Sequence, residues 1–251
     1  MTKPFIMVAP TGARRTQANH SALPVTIDEI VQTTRACHAA GAGALHLHVR
    51  DEAGQHSLDA GRYLEALAEL DNSLPNLPVQ ITSEAAGLFD VTAQIACLKA
   101  VKPKWASVSV REVDRSPELA DTLYGICEDN GTKVQHILYG PNDVALLAQR
   151  QAEGIVRADQ TDAIFVLGRY TTGQTSDPAD LQLFLDAGQP PANWMICAFG
   201  QNEHRCLHEA AKVGGDLRVG FENNLLDENG QPFADNAASI AALCRRLKGS
   251  T

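Results

Sequence analysis

Eight short apolar runs, each ending in polar residues and each followed by a helical pattern, fill a chain of 251 residues. Alternation of this kind predicts the α/β class with a parallel sheet, and eight units predict closure into a (β/α)8 TIM barrel. No G-x-G-x-x-G follows the first run, which places the open doubly wound sheet second. No linker or low-complexity stretch divides the chain, so residues 1–251 are expected to form one domain.

The first strand is expected at residues 5–9, ending in the turn Pro10-Thr11-Gly12-Ala13-Arg14-Arg15. Pro24-Val25-Thr26 opens a helix that runs to about Ala40 and stops at Gly41. Thr26 and Glu29 form its capping box. Strand two is the stretch Gly43-Ala44-Leu45-His46-Leu47-His48-Val49-Arg50-Asp51, after which His56-Ser57-Leu58-Asp59 leads into a helix ending near Leu70. Strand three covers 79–83, then Glu84, with a helix over 91–100. Strand four covers 105–110 and ends in Arg111-Glu112, with a helix over 117–129 turned by Asn130-Gly131. Strand five covers 133–138, ending at Tyr139-Gly140, with a helix over 141–153. Strand six covers 163–167, ending in Gly168-Arg169-Tyr170, with a polar loop and a helix over 178–187. Strand seven covers 194–199, with a helix reaching about Val213. Strand eight covers 217–222, Asn223 and Asn224 follow, and the last helix covers 236–247.

Composition removes several functions. A formal net charge of -9 argues against a nucleic-acid surface, though a local basic pocket can still take an anionic ligand. No apolar run reaches the ~18 residues of a membrane span. Met1-Thr2-Lys3-Pro4 lacks a signal-peptide layout, and the expected location is the cytoplasm. The six cysteines form no C-x-x-C and read as reduced core residues.

Barrel enzymes gather their chemistry at the C-terminal ends of the strands. In strand two, Leu45, Leu47 and Val49 alternate with His46, His48 and Arg50, so both imidazoles and the guanidinium are expected on one face. Neutral imidazole is a common metal ligand, and two such groups on a rigid strand can point at one ion. An open catalytic zinc site needs a third ligand. Glu222 at the end of strand eight is the candidate, with Glu84, Glu112 and Glu203 as rivals. The remaining strand ends add Thr11, Arg14, Thr82, Ser83, Ser107, Ser109, Tyr139, Arg169, Tyr170, Arg218 and Asn223.

Plainer readings stand beside these. Arg218 binds a carboxylate or pairs with Glu222 or Glu203. Arg50 positions substrate or salt-bridges Asp51 or Glu84. Ser107 and Ser109 either meet substrate or simply fill the barrel. His136 packs or hydrogen-bonds. His204 and His208, at helical i, i+4 spacing, read as an exposed helix face before a second metal site. No G-x-S-x-G, cysteine–histidine pattern or standard phosphate loop is present.

At Ala9-Pro10-Thr11-Gly12-Ala13, Ala22-Leu23-Pro24-Val25-Thr26, the strand-two stretch and Gly214-Gly215-Asp216-Leu217-Arg218-Val219-Gly220-Phe221-Glu222-Asn223-Asn224, the chain resembles the β-keto acid cleavage enzymes. The resemblance spans nearly the whole chain. It implies a zinc-dependent barrel that exchanges between a β-keto acid and acetyl-CoA, its co-substrate, giving acetoacetate and a new CoA thioester. It implies His46, His48 and Glu222 as zinc ligands, Arg218 near the reacting centre, and Thr82 or Ser83 as the hydroxyl that binds the substrate carboxylate. It also implies a homo-oligomer, a tetramer.

Two positions depart from the family pattern. Asn223 stands where an acidic residue commonly follows the zinc-binding glutamate, and Arg14 stands where a glutamate is common in the first loop. An amide is no general base, so Glu84, Glu112, Glu203 or a zinc-bound water is expected to move the proton. Arg14 is expected to recognise an anionic substrate group in place of a cationic one. Two other readings remain: a metal-dependent hydrolase of amidohydrolase type, which places H-x-H on strand one, and a barrel that binds zinc and a ligand without turnover.

Overall fold

In the computed structural model, which describes residues 3–188 and 190–249, eight parallel strands close into a barrel. The ends of the domain expected over residues 1–251 lie outside the described residues. The chain runs β1 (Ile6–Val8), α1 (Ile27–Ala40), β2 (Ala44–Leu47), β3 (Val49–Arg50), β4 (His56–Ser57), α2 (Ala60–Ser73), β5 (Val79–Thr82) and α3 (Val91–Val101). It continues through β6 (Trp105–Ser109), α4 (Val110–Val113), α5 (Ala120–Asp129), β7 (Lys133–Leu138), α6 (Pro141–Ala152), β8 (Asp162–Leu167) and α7 (Asp180–Ala187). It ends with β9 (Trp194–Ala198), α8 (Glu203–Lys212), β10 (Asp216–Val219) and α9 (Asn236–Lys248). Around the barrel the order is β1-β10-β9-β8-β7-β6-β5-β2, closed by β1 against β2.

Two apolar layers hold it. Met7, Ala44, Ile137, Ile164, Val166, Met195 and Cys197 fill the barrel interior. A larger layer lies between strands and helices, where Leu45, Leu47, Tyr63, Leu98, Tyr124 and Phe165 are buried. Each fully buried Leu or Phe contributes about 1.5–3 kcal/mol. The helices start where their caps say. Thr26 Oγ1 accepts from the Glu29 N–H while the Glu29 side chain accepts from the Thr26 N–H, and Asp59, Asp90 and Asp235 cap α2, α3 and α9.

Three differences from the sequence expectation matter for the site. The second strand breaks at His48. β2 stops at Leu47, and Val49–Arg50 pairs antiparallel with His56–Ser57 in a separate hairpin. The fourth strand stops at Ser109, so Val110, Arg111 and Glu112 lie on a helical turn. The eighth strand stops at Val219, which leaves Glu222 in the turn beyond it. Gly220 makes that stop. Its φ is +145°, and a Cβ there would fall 2.5 Å from the Ala9 carbonyl oxygen.

Candidate functional site

Strand geometry brings three ligand atoms together. β2 carries His46, His48 follows one residue beyond its end, and the turn after β10 carries Glu222; these flank β1 on its two sides. His46 Nε2 lies 3.2 Å from His48 Nε2. Glu222 Oε2 lies 3.5 Å from His48 Nε2 and 3.7 Å from His46 Nε2. Four tetrahedral ligands about 2.1 Å from one ion sit about 3.4 Å apart, so this spacing fits a single divalent cation. Glu222 Oε2 is buried without a hydrogen-bond donor, as a ligand oxygen would be. Among the described residues this is the one His/Cys/Asp/Glu group so arranged. Gly12 makes room for it: at φ +66° it lies against Glu222, whose Cγ a Cβ would approach to 2.6 Å.

The electrostatics keep His46 and Glu222 in ligand form. Burial, then the charge of Arg218, pushes the His46 pKa well below the ordinary imidazole value. Burial alone would push Glu222 up, but Arg218 and the two imidazoles outweigh it, and its carboxyl lies well below the usual range. Arg218 on β10 reaches Glu222 Oε1 at 3.4 Å and Cys197 Sγ at 3.3 Å. Its Nε and Nη1 have no hydrogen-bond partner. His46 is also supported from behind, with Nδ1 2.7 Å from Gln80 Oε1.

Above the triad the mouth is lined by Thr82, Glu84, Tyr139, Arg169, Phe199 and Arg218. Between Thr82 and Ser83 the fold makes a choice. Thr82 faces the mouth, whereas Ser83 Oγ donates to the Ser107 carbonyl at 2.9 Å. Ser107 Oγ lies 3.5 Å from Thr82 Oγ1, and Ser109 is buried with an unpartnered hydroxyl. Both serines fill the barrel beside the mouth without lining it. Glu84 Oε1 lies 3.7 Å from Arg169 Nη2. A second compartment, sharing Glu84, Arg169, Phe199 and Glu222, extends to Thr11, Arg14 and Arg15. Arg14 is exposed on its rim.

Several residues gathered by the sequence reading do other work. Arg50 turns away from the imidazoles, because the strand breaks at His48. Its guanidinium donates to the carbonyls of Gly12 (2.6 Å), Arg15 (2.9 Å) and Gly54 (3.1 Å), pinning the loop after β1. No Arg50 salt bridge to Asp51 or Glu84 is present among the described residues, and Arg50 does not line the mouth. Glu112, on its helical turn, accepts from the Ala85 N–H at 2.8 Å and from Gln94 at 3.0 Å, under the loop after β5 and away from the mouth. Burial raises its pKa. Glu203 is fully buried behind β10, accepting from the Gly220 N–H at 3.2 Å, and burial raises its carboxyl well above the usual range. Asn223 is buried with an unpartnered side-chain amide, and its backbone carbonyl accepts from Arg15 at 3.3 Å. Of the three acids expected to move a proton, Glu84 alone lines the mouth.

His136 bonds the Gln160 carbonyl at 2.8 Å, as its packing reading expects. His204 is not on an exposed face. Its ring packs on Phe233, its Nε2 meets Ser239 Oγ at 3.1 Å, and burial pushes its pKa down to about 4. Two residues went unnoticed in the sequence. His56 is buried beside His48, with ring centroids 5.3 Å apart, and bonds the Glu84 carbonyl at 2.7 Å. Gln80 carries an amide into a strand interior, and a mid-strand polar residue facing His46 was the available signal. A wider cavity of about 900 Å³ lies at the opposite end, among Phe5, Trp105 and Trp194, away from this chemistry.

A sequence profile of the beta-keto acid cleavage enzyme family matches residues 3–250. A 3-keto-5-aminohexanoate cleavage enzyme of Acetoanaerobium sticklandii is 24% identical over 99% of this chain and 93% of its own. A 3-oxoadipate:acetyl-CoA acetyltransferase of Cupriavidus necator is 24% identical over 97% of this chain and 89% of its own. A 3-dehydrocarnitine:acetyl-CoA trimethylamine transferase of Rhizobium meliloti is 26% identical over 94% of this chain and 87% of its own. Among solved structures, ObcA in a ternary complex with a C4-CoA adduct and oxalate superposes with TM-score 0.71 at 16% identity, over 91% of this chain. The chain spans 64% of the length of that structure. The likeness is one of fold. No helix of the described residues is long and apolar enough to cross a membrane.

Proposed function

This chain belongs to the beta-keto acid cleavage enzyme family, and from that premise we propose that it is a zinc enzyme exchanging a β-keto acid with acetyl-CoA to give acetoacetate and a new acyl-CoA. The observation that carries the reading is the spacing of His46, His48 and Glu222, with Arg218 beside them. A bound divalent ion supplies Lewis-acid chemistry, polarising the keto group and lowering the cost of charge that develops on its oxygen. The borderline imidazole and hard carboxylate donors of a His₂Glu set suit zinc.

The chain's own residues do the rest. Arg218, with two guanidinium nitrogens unpartnered, holds the keto acid's carboxylate, and the Thr82 hydroxyl fixes its second oxygen. Glu84 takes the proton from C2 of the keto acid. The C2 carbanion attacks the thioester carbonyl of acetyl-CoA, and CoA thiolate leaves. The thiolate then attacks the former keto carbon, and the C2–C3 bond breaks with its electron pair on C2. Glu84 returns the proton there, releasing acetoacetate. Arg169, with Nη2 3.7 Å from Glu84 Oε1, orients that carboxylate in the mouth. Asn223 takes no part in the proton transfer, since its amide is buried outside the mouth.

Arg14 and Arg15 on the adjoining compartment favour a keto acid with a second anionic group over an amino-bearing one. A cytoplasmic homo-oligomer belongs to the same reading. The test is metal analysis of the wild type beside the His46→Ala/His48→Ala double variant, with acetoacetate release measured over anionic-tailed, neutral and amino-bearing β-keto acids. The expected outcome is about one zinc per chain, lost in the double variant, and acetoacetate only when acetyl-CoA is present. Release without acetyl-CoA overturns the exchange reaction. Best activity on an amino-bearing acid overturns the substrate preference.

A further inference from the structure

Behind His46, two glutamine side chains cross the barrel interior in series. Gln80 on β5 is the register partner of His46 on β2, and its Oε1 lies 2.7 Å from His46 Nδ1. Gln80 Nε2 donates to Oε1 of Gln135, on β7, at 3.0 Å. Gln135 Nε2 faces Met195 Sδ on β9 at 3.9 Å. Gln80 and Gln135 are buried, at 0% and 3% exposure. Two amides in a barrel interior are costly to bury unless each end is used. Here the order of the ends carries information.

An amide has a donor end and an acceptor end, whereas a thioether only accepts. Met195 therefore sets the direction of the series. Gln135 turns its N–H toward the sulfur and its carbonyl toward Gln80. Gln80 must then offer its N–H to Gln135 and its carbonyl to His46. A carbonyl facing Nδ1 requires the proton on Nδ1, which leaves the Nε2 lone pair pointing at His48 and Glu222. The neighbouring His48 has no such support, since its Nδ1 is buried without a partner.

We propose that Met195, Gln135 and Gln80 form a directed amide relay that holds His46 in its Nδ1–H tautomer, so that Nε2 is presented as a metal ligand before the metal arrives. Gln80 and Gln135 are positioning residues. The relay rests on the metal reading above for its purpose, but its effect on the tautomer stands without metal. Gln135 and Met195 also line the wider cavity at the far end of the barrel, so a change at Gln135 leaves the mouth untouched.

The experiment uses three full-length proteins: wild type, Gln135→Leu and Gln135→Glu. Leucine approximates the volume and removes the acceptor that directs Gln80. Glutamate keeps an acceptor and has no amide donor to reverse the series. Long-range ¹H–¹⁵N spectra of the metal-free proteins give the His46 tautomer, and chelator competition gives zinc affinity. The wild type and Gln135→Glu are expected to show Nδ1–H. Gln135→Leu is expected to show a mixture with Nε2–H and zinc binding weaker by up to about 10–100-fold, the loss seen when a ligand's outer partner no longer directs it. A pure packing role predicts the opposite for leucine: one tautomer and unchanged affinity. That outcome overturns the relay, as does Nε2–H in the wild type. If Gln135→Leu misfolds, Gln80→Glu serves instead, with loss of Nδ1–H there overturning the proposal. Absence of zinc binding by the wild type would count against the metal reading alone, because the tautomer still decides the relay.

Discussion

Two of the arginine–carboxylate pairs in this barrel, Arg111–Asp143 and Arg218–Glu222, are built differently. Arg111 and Asp143 meet in fork geometry, with Nε at 3.0 and 3.1 Å from the two carboxylate oxygens and Nη2 at 2.8 Å. Asp143 also accepts the Tyr139 N–H at 2.6 Å, and Tyr139 and Tyr170 stack on the guanidinium. That pair is saturated. Arg218 and Glu222 touch through one 3.4 Å contact, with two guanidinium nitrogens and one carboxylate oxygen unpartnered. The first pair is finished by the fold and fixes where β7 meets α6. The second is left incomplete in a buried place, where an unmade hydrogen bond costs about 1–3 kcal/mol, and that cost makes sense when a substrate and an ion complete it. The comparison teaches that burial marks neither pair as functional; unmet bonding capacity does.

The sharpest way to break the comparison is at Arg218. Arg218→Lys keeps a positive charge and loses the planar fork. Acetoacetate release is expected to fall about 10²–10³-fold, as for loss of one preorganised donor, while zinc content stays unchanged. Near-normal turnover in that variant would show that the open guanidinium positions nothing. The equivalent cut in the saturated pair, Asp143→Asn, is expected to act on stability. It removes the ion pair and weakens the bond to the Tyr139 N–H, for about 1–3 kcal/mol. In a domain of this size that lowers Tm by roughly 2–4 °C per kcal/mol. Loss of acetoacetate release at unchanged Tm would move Asp143 into the chemistry and erase the distinction.

Much of the barrel was legible because its signals are local. Alternation places eight strands and helices, Thr26 and Glu29 announce α1, and the period of two puts His46 and His48 on one side. Glu222 was readable as a strand-end acid, although it sits three residues past the strand. What failed depends on where a strand stops. Arg50 was expected beside the imidazoles, and the break at His48 hands it to a hairpin that ties down the first loop. Glu112 was expected at a strand end, and the helical turn from Val110 swings it under the loop after β5. Arg14 and Arg15 are indistinguishable as sequence. Only the folded turn exposes the first and lets the second reach the carbonyls of Phe221 and Asn223. Long-range polar pairing, such as Gln80 with Gln135 across β6, leaves only a polar residue in each strand and no sign that the two meet.

The smallest expected effect tests a buried polar group outside the mouth. His136 on β7 is fully buried, bonds the Gln160 carbonyl, packs against Tyr124, and has its pKa pushed down by burial to about 4. The ordinary imidazole value is about 6.5. Above pH ~6.5 neither the folded nor the unfolded imidazole holds a proton, and His136 contributes no pH dependence. As pH falls from there toward 4, the unfolded chain takes up a proton that the folded chain refuses, so stability falls by about 1.4 kcal/mol per pH unit. Below pH ~4 both states are protonated and the loss, roughly 3 kcal/mol in all, is complete. His136→Gln keeps a donor for the Gln160 carbonyl and cannot titrate. Urea unfolding between pH 7 and 4 should therefore show a shallower acid limb in that variant than in the wild type. Parallel limbs would mean that the unfolded proton uptake is matched in the folded state, and that His136 is less sealed than its neighbours make it.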